Sequence, residues 1–118
     1  MDMPYDIANA PGAQPAIQMP MVGGFKPLPA TSAEARTATA TALKLVRTVG
    51  ELETMSLARP EIVKVEAQTV AGRNYRVAVR VGEADDRHLL QVLYYQDLKG
   101  RLSLNQVYFD GEPIMATD

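Results

Sequence analysis

Two periods of apolar positions divide the chain. From Glu61 onward the repeat is two: residues 62–70 are rich in β-branched side chains, and Tyr75, Val77, Val79 and Val81 alternate with Arg76, Ala78 and Arg80. Such alternation turns one face of a strand to a core and the other to water. Residues 71–74 then read as a short hairpin link, residues 82–86 as a polar, acidic turn, 88–95 as a third strand, 96–100 as a second tip and 102–109 as a fourth strand. The last segment, 111–118, is poor in β-formers, so a fifth strand is expected to be weak or missing.

Upstream the period is that of a helix. Ala38, Ala42, Leu45, Val49 and Leu52 follow one another at spacings of four, three, four and three, while Arg36, Lys44, Arg47 and Glu51 fall elsewhere on the cylinder. Thr31 with Glu34 three positions later supplies a helix start, Gly50 marks where the helix frays, and Pro60 stops any continuation. Alanines on the early half of the stripe let a sheet come close to the helix axis. The expected fold is α+β, with one long helix laid across a curved antiparallel sheet of four to five strands.

Residues 1–30 follow neither period, carry most of the prolines, and cannot bury enough surface to offset their ordering entropy. Residues 1–20 read as a flexible extension, and residues 21–118 as one domain. A chain of 118 residues, 47% of them apolar, suffices for a single core. The formal charge of -2, with 12 basic and 14 acidic residues, leaves no footprint for nucleic acid or anionic lipid. There is no cysteine, so neither a disulfide nor a thiolate site is available. No apolar run reaches the length of a membrane span. No leader pattern is visible, so the expected location is cytoplasmic, or extracellular if a leader has been removed.

Reactive groups are sparse. The only histidine, His88, could form a triad on paper with Ser103 and an aspartate, but no nucleophile elbow surrounds any serine. A histidine closing a strand end is the simpler reading. Glu83, Asp85 and Asp86 lack the spacing of a calcium loop and read as a solvated turn. Gly23 and Gly24 do not lie between a strand and a helix as a phosphate loop would. Tyr75, Tyr94, Tyr95 and Tyr108 fall at strand spacing and are expected to line the sheet. No enzyme, cofactor or metal site is expected.

What remains unusual is the hairpin tip QTVAG, Gln68-Thr69-Val70-Ala71-Gly72, in which nothing is charged. The order of Gly23-Gly24, a capped helix and this tip resembles the cystatins, and most nearly the stefins, the small cystatins without disulfides. GGFKPLPATSAEAR (23–36) is similar to a stefin amino terminus entering its helix, QTVAGRNYRV (68–77) to the Gln-x-Val-x-Gly hairpin with its following Asn-Tyr, and His88-Leu89 to the opening of the third strand. The resemblance implies a reversible, tight-binding inhibitor of papain-like cysteine proteases that enters the active-site cleft as a wedge. By carry-over, Met21 and Val22 fill the non-primed subsites, and Gly23, backed by Gly24, lets the chain turn away from the attack position. Gln68, Thr69, Val70, Ala71 and Gly72 then cross the catalytic centre, and Gln96, Asp97, Leu98 and Lys99 touch the primed side.

The chain departs from the family at the second tip, which has neither the Pro-Trp pair of many cystatins nor the Leu-Pro of stefins. Some twenty residues also precede the glycine arm. Two other readings stay open: a non-inhibitory binding module on the same fold, and a small cone-shaped enzyme with a polar pocket between helix and sheet. The chain is expected to be monomeric. Strain at the β-branched Val70 would favour exchange of the helix and first strand between two copies.

Overall fold

The structure is a computed structural model that describes residues 24–116. One helix packs on a six-stranded sheet whose order follows the chain, β1-β2-β3-β4-β5-β6, every neighbouring pair antiparallel. The strands are β1 (Lys26–Leu28), β2 (Glu61–Val70), β3 (Gly72–Glu83), β4 (Asp86–Gln96), β5 (Leu102–Phe109) and β6 (Glu112–Ala116), and the helix is α1 (Ala33–Val46).

Six strands replace the expected four to five, and both additions lie at the edges. β1 falls in the segment expected to be mobile: Lys26, Pro27 and Leu28 pair with Ala67, Glu66 and Val65. Proline is tolerated there because an outermost strand need not donate on its free side. Leu28 packs against the core. β6 forms despite its weak β-formers because Asp110 and Gly111, both at positive φ (52° and 85°), make the two-residue turn that matches strand twist. Phe109 then faces Glu112, and Ile114 and Met115 reach the core. The Asp-Gly pair was a readable hairpin signal.

The helix starts one residue from the expected cap. Ser32, not Thr31, is the N-cap, its hydroxyl accepting from the Ala35 amide at 3.1 Å. Glu34 does not fold back to close a capping box. It reaches the sheet instead. The helix also ends at Val46, short of Gly50, because three successive amides, those of Arg47, Thr48 and Val49, bond three residues back and tighten the chain. The Arg47 guanidinium holds the reversal by donating to the carbonyls of Glu53 at 3.0 Å and Met55 at 2.7 Å.

The buried helix face is accordingly Ala35, Ala38, Thr39, Ala42 and Val46. Leu45 and Val49, expected on the stripe, are only partly buried, and Leu52 enters the core from a separate 3-10 turn over Gly50–Leu52. Opposite them lie Val65, Val77, Val79, Val81, Leu90, Val92, Tyr94 and Val107, all fully or almost fully buried. Each such valine or leucine contributes about 1.5–3 kcal/mol through loss of apolar surface. No helix among the described residues is long and apolar enough to cross a membrane.

A rim of two hairpin tips as candidate functional site

Antiparallel pairing in chain order puts the start of β1, the β2–β3 tip and the β4–β5 tip at one end of the sheet. Val70 pairs with Gly72, so Ala71 alone makes the first tip, and Arg73 pairs with Gln96 at the base of the second. Gly24 and Thr69 line one recess of about 390 Å³ with Lys26, Leu28 and Arg73. Of the sequence-selected residues, Gly24, Gln68, Thr69, Val70, Ala71, Gly72, Gln96, Asp97, Leu98 and Lys99 are thus gathered on one rim. Met21, Val22 and Gly23 lie outside the described residues, as does the extension expected over 1–20.

The first tip is tighter than the expected four-residue link, and Gly72 is the reason. Its φ is 108°, and a Cβ there would lie 2.3 Å from the Gln96 carbonyl oxygen, 2.9 Å from the Tyr95 hydroxyl and 3.0 Å from the Asp97 Cα. Only glycine lets the two backbones meet. Val70 is not among the described non-glycine residues at positive φ, which are Arg59 and Asp110.

Around the stem of this tip, polar side chains close on one another. Arg73 Nη1 donates to Thr69 Oγ1 at 2.7 Å, and Asn74 Nδ2 donates to Gln68 Oε1 at 3.0 Å across the strand pair. Glu34 Oε2, carried by the first turn of α1, accepts from Arg73 Nη2 and from the Tyr75 hydroxyl, the latter at 2.7 Å. The Tyr95 hydroxyl donates to the carbonyl oxygen of Ala71. Burial, reinforced by the bond to Glu34, raises the pKa of Tyr75, and Arg73 opposes it. Tyr94, stacked on Tyr75 with centroids 5.2 Å apart, is pushed up to about 12 by burial.

The second tip is closed by its own aspartate. Asp97 Oδ1 accepts from the amides of Lys99 (2.9 Å) and Arg101 (2.8 Å), and Oδ2 from Arg101 Nε at 2.8 Å. These bonds, the Arg101 amide foremost, hold the Asp97 carboxyl below its ordinary pKa. The Asp97 charge is therefore turned into the loop. Leu98, 81% exposed, is left as the outermost apolar group.

Among the described residues no acid, base and nucleophile converge. His88 is paired with Val81, and Ser103 with Tyr95, seven residues further along β4. That is about 23 Å of strand, so the triad conceivable on paper does not assemble. His88 sits instead between Asp110 (2.7 Å to Nδ1) and Asp86 (3.0 Å to Nε2), at the opposite end of the sheet. Among the described residues no cluster of three or more metal-ligating side chains occurs. A cleft of about 320 Å³ does open between helix and sheet, lined by Glu34, Thr37, Thr41, Tyr75, Tyr94 and Gln96. Its one carboxylate already holds Arg73 and Tyr75.

Sequence reasoning missed Glu34 and Tyr95 as supports of the rim. Glu34 was placed in a capping box, and nothing local marks a partner 39 residues away. Neither a scan against protein-family models nor a search of curated proteins found a match for the chain.

Proposed function

We propose that the chain has a cystatin-type fold nearest the stefins and acts as a reversible inhibitor of papain-like cysteine proteases, inserting its rim into the active-site cleft. One observation carries the reading: the two tips abut, Gly72 against Gln96 and Asp97, beside the strand start to which the glycine arm is joined. A contiguous edge is what a narrow groove accepts. The helix followed by paired hairpins agrees with the layout that the resemblance implies, with β6 in the place of the weak fifth strand and β1 as an addition.

The energetics favour this use of the rim. Gln68, Thr69, Val70, Ala71 and Gly72 bring no charge into a dry cleft, so little solvation is lost on entry. Both tips are tied down before binding, which lowers the conformational entropy lost on association. Leu98 supplies an exposed apolar contact on the second tip. Neither the groove nor the wedge has to refold.

Titration of active papain with the purified protein tests the proposal. Loss of peptidase activity at a stoichiometry near one, reversible on dilution, is the expected result. Full activity at about 10 μM protein, a concentration far above the Kd of a standard-sized inhibitor interface, would refute it. A non-inhibitory binding module remains the second reading. It is favoured by the second tip, which has neither Pro-Trp nor Leu-Pro and carries the cationic Lys99.

A further inference from the structure

The geometry points to Tyr95 as a positioning residue that locks the first hairpin tip to the second through the Ala71 carbonyl, an inference that rests on the inhibitory reading above. Ala71 is the single turn residue between β2 and β3, and its carbonyl oxygen has no place in the ladder, where Val70 pairs directly with Gly72. Tyr95 stands one residue before the end of β4, directly across from Asn74. Its hydroxyl crosses to the tip and donates to that oxygen. The absent side chain of Gly72 makes the crossing possible, since a Cβ there would lie 2.9 Å from the phenolic oxygen.

Two consequences follow from this bond. The tip gains an attachment to a strand outside its own hairpin, so both tips are one body. On the far side of the stem, Arg73 is held to the helix by Glu34, so the hairpin is braced from both faces. The Ala71 carbonyl is also satisfied before any partner arrives. A turn carbonyl driven unpaired into a water-free groove loses its water without compensation, whereas one already paired keeps its partner. Tyr95 therefore acts on binding without needing to touch the protease.

Tyr95→Phe removes the hydroxyl and keeps the ring. Three measurements on the full chain are needed: amide exchange of residues 70–74 in the free protein, melting temperature, and association and dissociation rates with papain. Expected are exchange at the tip about tenfold faster, dissociation about tenfold faster with association nearly unchanged, and a melting temperature within a few degrees of the parent. Unchanged exchange would overturn the lock. Faster exchange with parental dissociation would make Tyr95 merely structural and overturn its role in binding. If the parent protein itself fails to inhibit papain, the inhibitory reading falls and the role in binding falls with it, while the exchange data still report on the bond.

Discussion

The two ends of the sheet are built from opposite materials. At the rim, the β2–β3 tip has no ionisable group and the β4–β5 tip turns its carboxylate onto its own amides. At the other end, the turns between β3 and β4 and between β5 and β6 carry Glu83, Asp85, Asp86 and Asp110. There His88 bridges Asp86 and Asp110 while stacking on Phe109 at 4.8 Å. Arg87 adds an ion pair to Glu61 at 3.6 Å. Charged turns gain from water and lose by burial, and neutral ones do not. The contrast separates a β2–β3 tip suited to leaving water from an end suited to staying in it, with the β4–β5 tip, where Lys99 and Arg101 stay exposed, standing between the two.

The largest effect should come from placing one side chain at each end. Gly72→Glu collides with the Gln96 carbonyl oxygen and puts a charge on the rim, so papain inhibition should weaken by about a thousandfold and stability should fall by about 1–3 kcal/mol. Gly111→Glu meets open space at a φ of 85°, so it should show a similar backbone penalty with the inhibition constant unchanged. Inhibition constants and thermal unfolding of the two variants decide the matter, and equal losses of inhibition would erase the distinction between the ends.

A smaller effect, about tenfold in affinity, is expected for Leu98→Ala, because an apolar contact is removed while nothing in the free protein depends on it. The melting temperature should not move. A comparable affinity would show that the second tip stays outside the interface.

The third test belongs to the charged end. Asp110, then its companion Asp86, raises the His88 pKa above its ordinary 6.5, while His88 and the Leu89 amide lower that of Asp110 below 3.8. The histidine's contribution is therefore complete below pH 6.5 and lost as pH rises through its elevated folded value. The aspartate's contribution is present above pH 3.8 and lost as pH falls through its depressed value. Melting temperature should thus be highest at mildly acidic pH and decline above neutrality. In Asp110→Asn that alkaline decline should shrink and the His88 pKa, followed by NMR, should drop. Papain inhibition at constant pH should be indifferent to this change.

The smallest effect concerns the latch of the second tip. Asp97 has a lowered pKa, so its bonds persist down to pH 3.8 and fail only as the pH falls through its folded value. Asp97→Ala should raise dissociation from papain a few-fold at neutral pH and lower the melting temperature slightly, because the bonds that hold the carboxylate to the Lys99 and Arg101 amides are lost. A parental off-rate would mean that the ladder alone positions Leu98.

Much of this contrast was legible before any coordinates. The change of period at Glu61, the neutral tip and the acidic turn at 82–86 are all local in sequence, and chain-order antiparallel pairing then fixes which turns share an end. The chain's own β1 was not legible, because Pro27 and Pro29 argue against a strand and only the distant partners Val65, Glu66 and Ala67 make one. The helix end at Val46 depended on Arg47 finding carbonyls up to eight residues ahead. The braces on the tip, Glu34 to Arg73 and Tyr95 to Ala71, join residues 39 and 24 positions apart, beyond the reach of any local pattern.

Both outermost strands contain a proline, Pro27 in β1 and Pro113 in β6. Each interrupts the row of amide hydrogens that a neighbouring molecule would use to extend the sheet. At the described edges of the sheet these two residues therefore work against lateral extension from one copy to the next. Replacing both would restore a full row of amide hydrogens on the two lateral margins, the arrangement that edge-to-edge pairing uses.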